Sequence, residues 1–450
     1  MSEQEQVRTA HGVVANAGDD LIGGGAPEGG TRSATRRKLR RVRAATPLAL
    51  VALGAVLGGC SGGHAPKAAH AGAKAAHTEA SASPTPPPPA ARVSISPGHG
   101  RVDMRPDRGI KVRATGGTLT NVTVRSRGHA VAGTLNAAKT VWRSRWALGV
   151  SQPYRVTATA VGADGRQVTR RRAFRTLTPE RTFAPRTILI NNGTYGVGMP
   201  LIFYFDEPVT NRKAVERSLE IRTSRRVVGS WYWDDSCGVV PLCLYFRPRR
   251  YWHPHTRVSF TAHVNGVQAA PGVFGVRDLS GTIRIGRSLK VFASTAKHFM
   301  NVYRGGKRYA HWPISTGRPG DDTPNGTYLS IEKGNPVEMV GEDYDMQVPY
   351  AVRITWSGVY LHAASWSVGS QGSTNVSHGC INMSPDDAAI YYAMSIPGDP
   401  VTVTGSSRAG TFDNGWTMWF KSWRQWRRGS ALHRAVRAGP QGSRFESYSP

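Results

Sequence analysis

The sequence predicts a mainly β protein. Two antiparallel sandwich domains lead into a β-rich domain with one helix after a cysteine loop, followed by a short Trp-rich helical extension. Three observations predict it. Apolar and polar residues alternate with period two in short runs from about residue 92 onward, the pattern of half-buried strands. The 51 Gly and 29 Pro among 450 residues supply many turns, which suits strands better than helical bundles. Ser384-Pro385-Asp386-Asp387 reads as a helix start, with a capping serine, a first-turn proline and acidic residues at the N-terminal end. A hydrophobic fraction of 39% with 12 Trp is enough for real cores and excludes wholesale disorder. Four Cys exclude a disulfide-dense scaffold.

Residues 1–60 read as an export signal. A basic run, Arg36-Arg37-Lys38-Leu39-Arg40-Arg41-Val42-Arg43, precedes an apolar stretch from Ala44 to Gly59. That stretch falls short of the roughly 20 residues a bilayer span needs. It ends in Leu57-Gly58-Gly59-Cys60, which resembles the lipobox of bacterial lipoproteins. The resemblance implies that Cys60 is lipidated and anchors the mature chain to the outer face of the plasma membrane, toward the cell wall. Residues 61–91 are rich in Ala, His, Ser and Pro and end in Pro84-Thr85-Pro86-Pro87-Pro88-Pro89. Such a segment cannot bury a core and reads as an extended tether. The irregular spacing of His64, His70 and His77 makes them solvated linker rather than metal ligands, and no metal is expected elsewhere.

Residues 92–179 and 180–279 read as two immunoglobulin-like domains. The first carries Ile110 to Thr115, Val122 to Val124 and Tyr154 to Ala160, separated by turns such as Asp164-Gly165. The second holds the apolar strand Leu201 to Phe205, a helical turn from Arg212, and Cys237 and Cys243. Export and a spacing of six suggest a disulfide between those cysteines. Neither segment clusters catalytic residue types.

The net charge of +29 invites a nucleic-acid reading, so its location matters. Residues 1–60 carry +3, residues 61–280 carry +20 and residues 281–450 carry +6. The excess forms no helical basic stripe and matches no zinc-finger, RRM or basic-zipper pattern. It reads as a basic β surface that meets anionic envelope polymers or lipids, without nucleic-acid recognition.

The chemistry concentrates in residues 280–405. Ser377-His378-Gly379-Cys380-Ile381-Asn382 follows His362 at a distance of eighteen residues from that histidine to Cys380. A thiol needs a base or a positive neighbour to act as a nucleophile near neutral pH, and His is the usual partner. Gly379 lets the backbone bend around a substrate carbonyl. The N–H groups of His378, Gly379 and Cys380 would then face the oxyanion.

These residues resemble the signature of the L,D-transpeptidases, bacterial cell-wall enzymes of the YkuD type. Val359-Tyr360-Leu361-His362, the Trp366 to Gly372 stretch and Ser377 to Asn382 all match, with the mycobacterial members most similar. Those members also carry two immunoglobulin-like domains before the catalytic domain and a Trp-rich tail after it. The resemblance implies that Cys380 is the acylated nucleophile, that His362 takes and returns its proton, and that His378 shapes the site. It implies that Asn382 holds the substrate stem and that Tyr344, Ser357 and Gly358 line the donor pocket.

Ala363 stands where such members often have Ser. If that residue acts through its backbone carbonyl, Ala serves equally. If a hydroxyl matters, His362 is less well oriented here. The implied reaction takes a tetrapeptide stem as donor and the side-chain amine of a second stem's diamino acid as acceptor. It forms a 3→3 cross-link in cell-wall biogenesis without a cofactor and is open to carbapenem inactivation. The alternatives are an L,D-carboxypeptidase using the same Cys380 and a non-catalytic wall-binding lipoprotein.

Beyond residue 405, Trp416, Trp419, Trp423 and Trp426 are spaced to share one helix face, expected to dock on the catalytic domain. From about Gly429 the tail reads as poorly ordered.

Overall fold

The computed structural model describes residues 90–237, 240–341 and 344–446. The export signal, Cys60 and the tether to residue 89 lie outside the described residues.

Alternation builds the first sandwich. In the strand Pro153–Gly162, Tyr154, Val156, Ala158 and Ala160 point inward while Arg155 is exposed. This strand lies between Gly117–Ser126 and Gln167–Arg175 in one four-stranded sheet. The facing sheet orders Arg92–Ser96, Lys111–Thr115, Val141–Ser144 and Gly133–Leu135. Val112, Leu119, Trp142, Val156 and Phe174 fill the space between them.

The second sandwich has a heavier core built on Phe203, Trp231, Phe246, Trp252 and Phe260. Its strand Leu201–Phe205 pairs with Leu242–Pro248. A disulfide joins Cys237 to Cys243, with their Cα atoms 6.0 Å apart. The strand Leu279–Ile285 pairs with Arg257–Ala262, so this domain runs to residue 285 rather than 279. Gly281 sits mid-strand, where the Phe260 ring covers it and leaves no room for a side chain (a Cβ there would meet Phe260 Cζ at 2.6 Å).

The real junction follows, at Gly286-Arg287-Ser288. Arg287 pairs through both Nη atoms, each at 2.9 Å, with the fully buried Asp399. Burial pushes that carboxyl up to about 6. Alongside, Gly198 N donates to Gly398 O at 2.9 Å.

The third domain places Leu289–Ser294 at the centre of a five-stranded sheet, between Phe299–Arg304 and Pro400–Thr404. A second sheet orders Lys333–Gly334, Ala351–Arg353, Tyr360–Ala363 and Ile381–Met383. The helix Pro385–Met394 begins as its sequence requires: Ser384 Oγ accepts from the Asp387 N–H at 3.2 Å, and Pro385 opens the first turn.

The C-terminal extension differs most from expectation. Only Trp423 and Trp426 belong to its helix, Trp423–Arg428, whereas Trp416 and Trp419 lie on the preceding turns. The indoles dock on the second sandwich, not on the catalytic domain alone. Trp426 Nε1 donates to Ser230 O at 2.9 Å and Trp419 Nε1 to Gly198 O at 2.8 Å. The buried Arg247 guanidinium lies 4.5 Å from the Trp419 ring and 4.7 Å from that of Trp426.

The tail from Ser430 to Glu446 is also ordered. Val436–Gly439 and Gly442–Phe445 form a hairpin, and its first strand enters the large sheet of the second sandwich between Leu219–Thr223 and Val227–Asp234. The buried Glu216 fixes the approach, accepting hydrogen bonds from Ser430 Oγ, Leu432 N, Ala431 N and Trp233 Nε1. Four short residues before a Pro-Gln-Gly turn carry too little apolar surface to announce a strand. The partner sheet supplies the rest.

Candidate active site

The two halves of the cysteine motif meet through strand register. Tyr360–Ala363 runs parallel to Ile381–Met383, with Leu361 opposite Ile381 and His362 opposite Asn382. Cys380 therefore enters its strand beside Tyr360.

His362 is 3% exposed, and its Nδ1 lies 2.9 Å from the Ala363 carbonyl oxygen. A carbonyl only accepts, so Nδ1 carries the proton and Nε2 keeps its lone pair in the neutral ring. Burial pushes the imidazole down to about 4, partly opposed by that hydrogen bond, so the ring is neutral near pH 7. The contact needs no side-chain hydroxyl at position 363. Trp366, largely exposed, stacks near the ring at 6.1 Å between centroids.

Cys380 is half-buried, and burial pushes its thiol up to about 11 while the Tyr360 backbone N–H pulls the other way. The resting sulfur is therefore a thiol, donating a long contact of 3.6 Å to Gly358 O. Such a thiol needs a base to become nucleophilic, and a neutral imidazole with a fixed tautomer can act as one.

The loop before Cys380 is held from behind. Gly379 has φ +121°, a conformation that favours glycine. Its carbonyl accepts from Thr323 Oγ1 at 2.7 Å, and Thr323 in turn accepts from Gly317 N at 2.9 Å. The Gly379 N–H is not an oxyanion donor as expected, because it donates to Ser377 Oγ at 3.1 Å. Ser377 Oγ passes on to Cys380 O at 2.7 Å. Of the three amides expected to face the oxyanion, the Gly379 N–H is thus turned inward to brace the loop.

The remaining residues divide. Tyr344, at the tip of the hairpin Val337–Val340/Asp345–Val348, packs its ring 4.9 Å from His378, which is exposed. Ser357 and Gly358 form the turn before the His362 strand, and Gly358 has φ +93°. Asn382, expected to hold the substrate stem, is 2% exposed; its Nδ2 donates to Ser367 Oγ at 3.0 Å, while its buried Oδ1 has no hydrogen-bond partner among the described residues. The Nδ2 bond ties the Cys380 strand to the turn Ser365–Ser370.

Sequence reasoning missed Thr323 and Asn414. Thr323 stands alone in a Gly/Asp/Pro turn, and Asn414 in a turn-like Asp-Asn-Gly of the extension. Nothing local marks either one.

Known proteins resemble this chain over both its sandwich segment and its catalytic segment. A model of bacterial Ig domains matches residues 101–268, and a model of the L,D-transpeptidase catalytic domain matches residues 289–403. L,D-transpeptidase 5 of Mycobacterium tuberculosis is 33% identical over 358 residues, covering 76% of this chain and 78% of that protein. L,D-transpeptidase 2 of the same species is 32% identical over 354 residues, covering 76% and 85%. A solved LD transpeptidase, LdtMt1, in complex with imipenem is 38% identical; it covers 50% of this chain and all of its own, with a TM-score of 0.42.

Proposed function

We infer, because this chain belongs to the L,D-transpeptidase family, that it cross-links peptidoglycan through an acyl-enzyme on Cys380. The observation that carries the site assignment is the neutral, tautomer-fixed His362 on the strand beside the Cys380 thiol.

Each step follows from that pair. The Cys380 thiol gives its proton to His362 Nε2 as the sulfur attacks the carbonyl of the third residue in a tetrapeptide donor. The oxyanion meets the Cys380 N–H. Collapse breaks the amide, and the departing D-alanine amine takes the proton from His362. The side-chain amine of a second stem then attacks the thioester. It gives a proton to His362, the carbon–sulfur bond breaks, and the thiolate recovers that proton. The product is a 3→3 cross-link. The Ala363 carbonyl on His362 Nδ1, and the hydrogen bonds of Ser377 and Thr323 with the Gly379-Cys380 backbone, keep these atoms in place.

Incubation with a pair of tetrapeptide stems tests the reading. A dimer lacking one D-alanine supports transfer. Trimmed stem alone would assign the enzyme to the carboxypeptidase alternative, and unchanged stem to the non-catalytic one. Carbapenems are expected to acylate the same sulfur.

The placement of the enzyme is a further part of the proposal. Lipidation at Cys60 anchors the chain at the outer membrane face, and the first sandwich grips anionic wall polymer. Four exposed arginines support that grip. Arg125 lies directly opposite Arg155 across two strands, and Arg171 and Arg175 stand on the same face of the neighbouring strand. Like charges in register are unfavourable unless something anionic covers them. None of the four has a carboxylate partner among the described residues. Fractionation separates the two holds. Cys60→Ala is expected to leave the membrane fraction. Changing the four arginines to Gln is expected to lower wall binding of the anchor-free protein about tenfold at low salt, with the difference fading as salt screens the charges. Unchanged wall binding would remove the arginine face from the account.

A further inference from the structure

The C-terminal extension reaches the active-site wall at one point. Asn414 clamps Ser357 from two sides: its Oδ1 accepts the Ser357 N–H at 2.9 Å and its Nδ2 donates to Ser357 Oγ at 2.8 Å. The next residue seats the contact. Gly415 has φ +108°, and a Cβ there would lie 2.8 Å from Ile354 O, so the backbone of the extension lies directly on the strand leading into this turn. Trp416 then meets Trp356 edge to face at 6.3 Å between centroids.

The clamped turn is the one that faces the sulfur. Gly358 supplies the carbonyl that accepts the Cys380 S–H, and Tyr360, two residues on, directs its N–H at the same atom. From within, the turn is braced by Thr355 Oγ1, which accepts the Val359 N–H at 2.8 Å and lies 3.2 Å from Ser357 Oγ. Arg353 Nη2 donates to Trp356 O at 2.7 Å. Those braces fix the turn's internal shape. Asn414 is the side chain from outside the domain's own sheets that fixes Ser357 itself.

We propose that Asn414 is a positioning residue for acylation of Cys380, setting the distance between the Ser357–Gly358 turn and the sulfur. The proposal rests on the reading of Cys380 as nucleophile. It gives the extension a part in the chemistry besides its docking on the second sandwich.

Time-resolved intact-protein mass spectrometry with imipenem, on the whole chain, separates the possibilities. It reads both the rate constant of adduct formation and the fraction of protein that reacts. Asn414→Ala is expected to lower the rate constant about tenfold with the reactive fraction unchanged, because small misplacements of reacting groups cost this much or more. Asn414→Asp is expected to stay within about twofold of wild type, since its carboxylate accepts from both the Ser357 N–H and its hydroxyl. Ser357→Ala removes one end of the clamp and is expected to fall between them, which keeps the test open if Asn414→Ala folds poorly. A wild-type rate constant in Asn414→Ala overturns the proposal. So does a smaller reactive fraction with an unchanged rate constant, the mark of a merely structural role. Absence of the adduct in wild type instead removes the nucleophile reading beneath it.

Discussion

Replacing Cys380 by alanine abolishes the covalent adduct and all transfer of stem peptide, and replacing His362 by asparagine slows acylation by about a thousandfold. The two effects differ in kind. The first removes the only free thiol among the described residues, leaving no nucleophile to carry the acyl group. The second removes the base from a thiol that burial holds up to about 11, so that almost none ionises unaided near neutral pH. Intact-protein mass spectrometry with a tetrapeptide donor reads both.

The pH profile of wild-type acylation carries the sign. His362 is pushed down to about 4, so its reactive, neutral form persists as pH falls and is lost only around that value. The rate is expected to stay level from pH 8 to about pH 5 and to fall below it, where an ordinary histidine would lose half its base near 6.5. A midpoint at 6 or above would show that another group limits the reaction.

The second large effect concerns stability. Trp426→Ala is expected to cost about 3–5 kcal/mol, the range for truncating a buried aromatic side chain. Trp426 is fully buried, stacks on Tyr232 at 4.7 Å and donates to Ser230 O. Its loss also strips one ring from the Arg247 guanidinium, a buried charge already pushed down to about 10 by desolvation. Denaturant unfolding followed by tryptophan fluorescence measures it, with limited proteolysis reporting release of residues 430–446. A cost below about 1 kcal/mol would mean that the extension is held elsewhere.

The sequence was most legible where function forces residue types into a short span. Ser377 to Asn382 with His362 located the reactive pair, and Ser384-Pro385 located the helix behind it, because caps and catalytic loops are local. It was least legible where a contact spans the chain. Asn414 meets Ser357 across 57 positions, and Glu216 meets Ser430 across 214. No spacing encodes such pairs. Asn382 shows a third limit: the motif marks it as important, yet only its burial and the bond to Ser367 show that it braces the loop. The same holds for Gly379, whose amide the motif offers to substrate and whose neighbour Ser377 occupies it.

The hairpin Val436–Phe445 has a consequence for the order in which the molecule is completed. The slot between Leu219–Thr223 and Val227–Asp234 is framed by strands made early, and the strand that fills it is about 200 residues away along the chain. Closing so long a loop is slow compared with pairing neighbours. Until it closes, the second sandwich presents two unpaired strand edges, the usual starting points for aggregation. The whole catalytic domain must be synthesised, and its extension laid across the Ser357 turn, before that gap is sealed. A polypeptide stopped short of the hairpin thus keeps both of those edges of the second sandwich open.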